Sequence, residues 1–447
     1  MPEQILIKNA SMVNDGRILE GDLLIRRGRI EQIAAEITVP DTARVLDAEG
    51  RTLIPGMIDD QVHFREPGAT HKGDMQSESR AAVAGGITSI MDMPNTNPQT
   101  TTRAALEDKY LIAEDRSSAN YAFYMGATND NIEEIAALNP KQACGIKVFM
   151  GASTGNMLVN SEKALEAIFK DAPILVATHC EDTPTIQHLE EVYREKYGED
   201  VPMACHPEIR SAEACYLSSS MAVGLAKRHG TRLHVLHLTT AREMELFEAG
   251  PLDNKMITAE ACVHHLYFDD RDYANKGSFI KCNPAIKSKA DRDAIRKALV
   301  ENRIDVVATD HAPHTLDEKL NSYFNAPAGL PLVQWALPMM FELYHDHLIS
   351  LEQLVEKTSH GPARLFNIAE RGYLREGYWA DLALVDLKSP YRVERGDVLY
   401  KCGWSPLEGE RLRSSIVATF VNGQMAFREG RGVNHSVTGQ RMEFDRP

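Results

Sequence analysis

Two rhythms of apolar and polar positions alternate along the chain. Between residues 4 and 54 the apolar runs are short. Ile5-Leu6-Ile7 leads to Asn9, Asp22-Leu23-Leu24-Ile25-Arg26 leads to Gly28 and Ile30, and Val45-Leu46-Asp47 leads to Gly50 and Thr52-Leu53-Ile54. Short runs broken by Asn, Asp and Gly predict a small β-domain. From Pro55 onward the runs become near-continuous and of strand length, over 56–64, 87–93, 119–126, 145–150, 174–179, 233–238, 256–263 and 304–309. Helical patterns separate most of them, for example over 79–83, 132–138, 162–169, 211–229 and 291–301. Strands apolar on both faces, alternating with helices, predict a parallel sheet covered on both sides. Eight of them fit a (β/α)8 barrel of the TIM type. A doubly wound open sheet is the alternative, but no Gly-x-Gly-x-x-Gly turn follows the first strand, which weakens its dinucleotide-binding form.

Beyond about residue 370 the runs shorten again, at 378–385, 416–421 and 424–427, with Val421-Asn422-Gly423 reading as a tight turn between two strands. The two ends share one character and the middle another. The expected organisation is a barrel over 55–370 beside a small discontinuous β-sandwich domain built from 1–54 and 371–447.

Composition narrows the partners. The 447 residues are 43% hydrophobic, enough for a large core. A net charge of −15 argues against nucleic acid and requires any anionic substrate to find a local positive site. Seven cysteines without paired spacing fit free thiols in a reducing cytoplasm. No apolar run approaches the ~18 residues of a membrane span. The expectation is a cytoplasmic protein acting on a small molecule, away from nucleic acid and membrane.

Barrel enzymes carry their chemistry at the C-terminal strand ends, and polar groups recur there. Strand one offers Gln61, His63 and Arg65; strand two runs into Asn95; strand four carries Lys147 inside an apolar run. Strand five ends at His179, strand six carries His234 and His237, strand seven contains Glu260 with His264 and His265 beyond it, and strand eight ends in Asp310 and His314. Each has a bland alternative: Asp310 could cap a helix, and Lys147 could snorkel outward. Their recurrence at one end of several strands favours a site. Imidazoles with a carboxylate suit Zn²⁺ or a similar divalent ion. A neutral lysine among such ligands can take up carbon dioxide as a carbamate, an anionic bridge.

The ordered motifs Asp59-Asp-Gln-Val-His-Phe-Arg-Glu-Pro-Gly, Met93-Pro-Asn-Thr-Asn-Pro, Lys147-Val-Phe-Met, His237-Leu-Thr-Thr, Lys281-Cys-Asn-Pro, Thr309-Asp-His-Ala-Pro-His and Ala380-Asp-Leu-Ala-Leu-Val resemble the amidohydrolase superfamily, and within it the dihydroorotases, over essentially the full chain. That resemblance implies a zinc-dependent enzyme that interconverts N-carbamoyl-L-aspartate and (S)-dihydroorotate, the third step of pyrimidine synthesis. It implies His63, His179, His237 and Asp310 as ligands of one or two Zn²⁺ ions, with carbamylated Lys147 as the bridge and Asp310 also as general base. It implies Arg65, Asn95 and His314 as the grip on the substrate carboxylate, and Asn283 with the loop from Ala326 to Gly329 as contacts to the ring amide. His237 is preferred over His234, because both cannot point inward on a regular strand. A homodimer is implied by family analogy.

One position departs from the family pattern. Gln61 stands where the first histidine of Asp-x-His-x-His is expected. Its amide oxygen is a weaker zinc ligand than an imidazole. It is expected to bind through that oxygen, to hydrogen-bond a water, or to leave one site empty. Two competing functions follow: another cyclic amidohydrolase, an allantoinase or dihydropyrimidinase, or an inactive homologue serving as a structural partner.

Overall fold

The computed structural model describes residues 4–151 and 157–446. Eight parallel strands follow one another in chain order. They are Met57–Val62, Ile87–Asp92, Asn120–Phe123 continued by Met125–Gly126, Ile146–Phe149, Val176–His179, Leu233–Val235, Ile257–Cys262 and Val306–Ala308. The third strand breaks at Tyr124: its first piece pairs with strand two, its second with strand four. The circle closes where His63 N–H donates to the His311 carbonyl at 2.7 Å, beside a parallel bridge from Val62 to His311. This cyclic order replaces the doubly wound alternative.

Helices cover the outside, and local sequence sets their ends. Helix Met75–Ala84 starts at Asp74, whose carboxylate accepts from Ser77 N–H at 2.8 Å. Helix Ala212–His229 starts at Ser211 and stops at Gly230, which takes the left-handed φ of 68° that a helix C-terminus favours. Helix Ala336–His345, apolar in sequence, is core: Leu337, Met339, Met340 and Phe341 are buried.

Both chain ends build a nine-stranded sheet in which Leu382–Asp386 and Thr52–Pro55 lie adjacent at its centre. It forks at the long strand Gln4–Asn14, which pairs with Ala43–Asp47 along its first half and with Thr52–Pro55 further on. Asn422 and Gly423, with φ of 50° and 74°, make the tight turn between strands Ser415–Val421 and Gln424–Arg428. A buried polar network joins sheet and barrel. Arg371 pairs with Asp381 and donates to Asn422 Oδ1 at 2.8 Å, and Asn120 of barrel strand three donates to Asp381 at 3.1 Å. Among the described residues no helix is long and apolar enough to cross a membrane.

Candidate active site at the barrel mouth

The C-terminal strand ends enclose a cavity of about 180 Å³ lined by Gln61, His63, Arg65, Asn95, Lys147, His179, His237, Asn283, Asp310, His314 and Gly329. The ends of strands one, two, four, five, six and eight, with two loops, thus deliver nearly every expected side chain to one place. Ala326 is the exception. It is buried, and its carbonyl accepts from Lys281 Nζ at 2.7 Å, so Pro327 and Ala328 line the cavity in its stead. The bland readings fail on geometry. Lys147 is 1% exposed. The helix after Asp310 is capped by Thr315.

Three site residues hold left-handed backbone: Arg65 at φ 65°, His237 at 42° and Asp310 at 47°. For residues with side chains this conformation costs of order 1 kcal/mol or more and persists only where surrounding contacts enforce it. Glu260 enforces it at His237 by accepting that backbone N–H at 2.9 Å. The turn also overturns the argument for a single inward histidine. Regular strand six ends at Val235, the chain twists at His237, and both His234 and His237 face the interior. His234 stands beneath the mouth, 3.4 Å from Asp60 and 3.6 Å from Glu260.

Each anchored mouth imidazole spends one nitrogen on a fixed acceptor. His179 Nε2 lies 3.0 Å from the Glu181 carboxylate, which accepts only, so Nδ1 keeps the lone pair. That lone pair faces His237 Nε2 at 3.0 Å. His63 Nδ1 meets the Asn95 oxygen at 2.8 Å, and its Nε2 faces Asp310 Oδ1 at 3.1 Å. The His63 Nε2 atom and the His179–His237 pair, with His237 Nδ1 unpartnered, gather imidazole nitrogens that suit a cation. Anchoring through the far nitrogen is how metal-binding histidines are oriented. The residues present therefore fit a divalent ion.

The expected ligands stand as two pairs, His179 with His237 and His63 with Asp310. Among the described residues, the compact trios of donor atoms, within 4.8 Å of one another, lie elsewhere: Cys262 with His264 and His265, and Asp60 with His234 and Glu260. His179, His237 and Asp310 do not make a third. Lys147 stands in the field of both pairs, acting on Asp310 on one side and on His179 and His237 on the other. Burial pulls its ammonium down to about 8, with Asp310 and Glu260 opposing. Burial pushes Asp310 up, but His63, His264 and Lys147 outweigh it and hold the carboxylate below its usual range. Asp310 is thus ionised near neutrality. Gln61 turns its amide to donate to Asp310 Oδ1 at 3.1 Å, while its oxygen lies 3.9 Å from the Cys262 sulfur.

A second set of side chains at the mouth is positive. Arg65 Nε donates to the Pro313 carbonyl at 3.0 Å, and its Nη2 lies 3.0 Å from His314 Nε2. Lys72 can only donate, so His314 Nδ1 accepts from it at 3.1 Å, and His314 Nε2–H donates to the Ala328 carbonyl at 3.0 Å. Two donors, from Arg65 and His314, are then side by side, an arrangement that an anion between them relieves. Burial, with Arg65, Lys72 and Lys319 nearby, drives the His314 imidazole well below its usual value. Asn283 lines the cavity, and because Arg210 Nη2, 3.2 Å from its amide, can only donate, the amide oxygen is assigned to that side.

Several contributors escaped the sequence reading. Phe149, two residues after Lys147 on one strand face, was legible from periodicity. Glu181 followed His179 in the chain, but nothing signalled that it anchors that ring. Arg210, which grips Glu181 at 2.7 Å, and Lys72 left no local signal.

Comparison with known proteins finds relatives of the chain as a whole. The model of the amidohydrolase family matches residues 52–426. The chain is 31% identical to a dihydroorotase of Pediococcus pentosaceus over 96% of this chain and 100% of that one. It is 32% identical to a dihydroorotase of Methanosarcina acetivorans, covering 100% and 98%. Among solved structures, an L-hydantoinase (dihydropyrimidinase) from Arthrobacter aurescens superposes with a TM-score of 0.92 at 27% identity, covering 99% of this chain and 100% of that one.

Proposed function

The chain belongs to the amidohydrolase family, and we propose that it is a dihydroorotase, cyclising N-carbamoyl-L-aspartate to (S)-dihydroorotate with loss of water and running the reverse hydrolysis. The observation that carries this reading is that one small cavity brings together two sets of side chains. Imidazoles, Asp310 and Lys147 form one. Arg65 and His314, donors without a matching anion between them, form the other. A cyclic amide bearing a carboxylate suits those two sets.

In hydrolysis, Arg65 and His314 hold the carboxylate, with the NH₂ end of Asn95 beside them, since its oxygen is taken by His63. This fixes the ring carbonyl against the first set. Asp310 takes a proton from the attacking water; the ring C–N bond breaks, and Asp310 returns the proton to the leaving nitrogen. The Gln61 amide, donating to Asp310 Oδ1, keeps that carboxylate in one orientation. Asn283 and Gly329 border the ring amide. A divalent ion, Zn²⁺ by family analogy and one or two per chain, would be held by His63, His179, His237 and Asp310 and would supply Lewis acidity and a more acidic water. Lys147, once carbamylated, would add an anionic ligand to this set. The soluble, cytoplasmic enzyme is proposed as a homodimer, which light scattering tests directly.

The hydantoinase-like neighbour motivates a second reading, a hydrolase of uncharged rings. Turnover of dihydroorotate, allantoin and dihydrouracil by the purified protein separates them. Preference for dihydroorotate is expected. Faster turnover of an uncharged ring contradicts the carboxylate grip. No turnover with zinc and bicarbonate supplied indicates the inactive structural homologue that Gln61 first suggested.

A further inference from the structure

Beneath the mouth, inside the barrel, lies a second group of metal-ligating side chains that the reaction does not use. Asp60 comes from strand one, His234 from strand six and Glu260 from strand seven. All three are fully buried, at 0% exposure. Both Asp60 carboxylate oxygens, His234 Nε2 and Glu260 Oε2 lack any hydrogen-bond partner. Four orphaned polar atoms converging in a barrel core are costly unless something unites them.

The orientation of the histidine shows where such a group would sit. Thr258 donates its hydroxyl hydrogen to the Leu233 carbonyl at 3.1 Å. Its oxygen must therefore accept from His234, whose Nδ1 lies 2.8 Å away and carries the proton. The Nε2 atom then faces two carboxylates, 3.4 Å from Asp60 Oδ2 and 3.6 Å from Glu260 Oε2. These separations are long for hydrogen bonds. They match a coordination edge: two donors ~2.1 Å from a common ion at a tetrahedral angle lie about 3.4 Å apart.

We infer that Asp60, His234 and Glu260 form a second cation site within the barrel, taking a divalent first-row ion such as Zn²⁺ or Mn²⁺. One imidazole with two carboxylates is a donor set for such ions. The ion neutralises two buried carboxylates and ties strands one, six and seven together across the core. It also reaches the mouth. Glu260 gives Oε2 to the ion and uses Oε1 to hold the His237 N–H, so the ion fixes the turn that presents His237.

Anomalous diffraction from crystals of the full chain grown with Zn²⁺, and separately with Mn²⁺, tests this. The expected result is a peak within bonding distance of His234 Nε2, Asp60 and Glu260, distinct from any peak beside His179 and His237. The His179→Asn/His237→Asn variant should keep the inner peak, and His234→Gln should lower the bound metal by one ion per chain. Density at the triad without an anomalous signal for either ion, whether water or a bare imidazolium, overturns the inference. If His234→Gln does not fold, the diffraction result from the unmodified chain decides alone. An ion at the mouth with none at the triad leaves the hydrolase reading standing and refutes this one.

Discussion

The mouth of the barrel and the seam between barrel and sheet are both buried, polar and charged, yet they are built on opposite rules. At the seam the charged and amide groups find partners. Arg371 meets Asp381, Asn422 and Gln440, the Asn422 N–H donates to Asp381 at 2.7 Å, and the Asn422 and Asn120 amides join at 2.8 Å. At the mouth His237 Nδ1 is unpartnered, donors from Arg65 and His314 stand against each other, and the backbone twists into left-handed geometry at three site residues. A satisfied network holds a fold together. An unsatisfied one held in place by its surroundings is a site awaiting an ion and a substrate.

That contrast predicts which variants lose activity and which lose stability. The largest effect is at the mouth. Asp310→Asn should lower kcat on the order of 1,000-fold while thermal unfolding stays close to that of the parent protein. Near-normal turnover would remove Asp310 from its role as base. The seam should respond the other way. Arg371→Ala leaves Asp381 buried without its cation, costing about 3–5 kcal/mol in denaturant unfolding, while turnover per folded molecule persists. A stable but inactive Arg371→Ala would erase the distinction. Arg65→Ala should raise KM for dihydroorotate roughly 10- to 100-fold, the value of a charge-assisted contact, with a smaller change for uncharged rings. Equal changes for both would place Arg65 outside the grip.

The smallest effect is in pH. Only the neutral Lys147 amine takes up carbon dioxide, and burial brings its ammonium to about 8. Below that value the neutral fraction falls about tenfold per pH unit. Reactivation of metal-stripped protein by Zn²⁺ and bicarbonate should therefore slow from pH 8 to pH 6 at constant dissolved carbon dioxide. A rate independent of pH would mean that Lys147 is not the group modified.

Much of this was legible in the sequence because periodicity and strand ends are local signals. The eight apolar runs became the eight strands, and His63, Lys147, His179, His237 and Asp310 reached one cavity. What escaped depends on distant or irregular geometry. His234 was set aside on the assumption of a regular strand, and the turn at His237 broke that assumption. The family resemblance implies Ala326 at the ring amide, but Lys281, distant in sequence, takes its carbonyl and turns it away. Gln61 read as a weakened ligand; in the fold its amide steadies Asp310. Arg210 and Lys72 act only through partners far along the chain.

Metal content and dihydroorotate turnover, measured on the same samples as a chelator strips the protein and Zn²⁺ with bicarbonate restores it, test the central claim most directly. The two should fall together and return together. Metal-free protein that hydrolyses dihydroorotate at the full rate would contradict it.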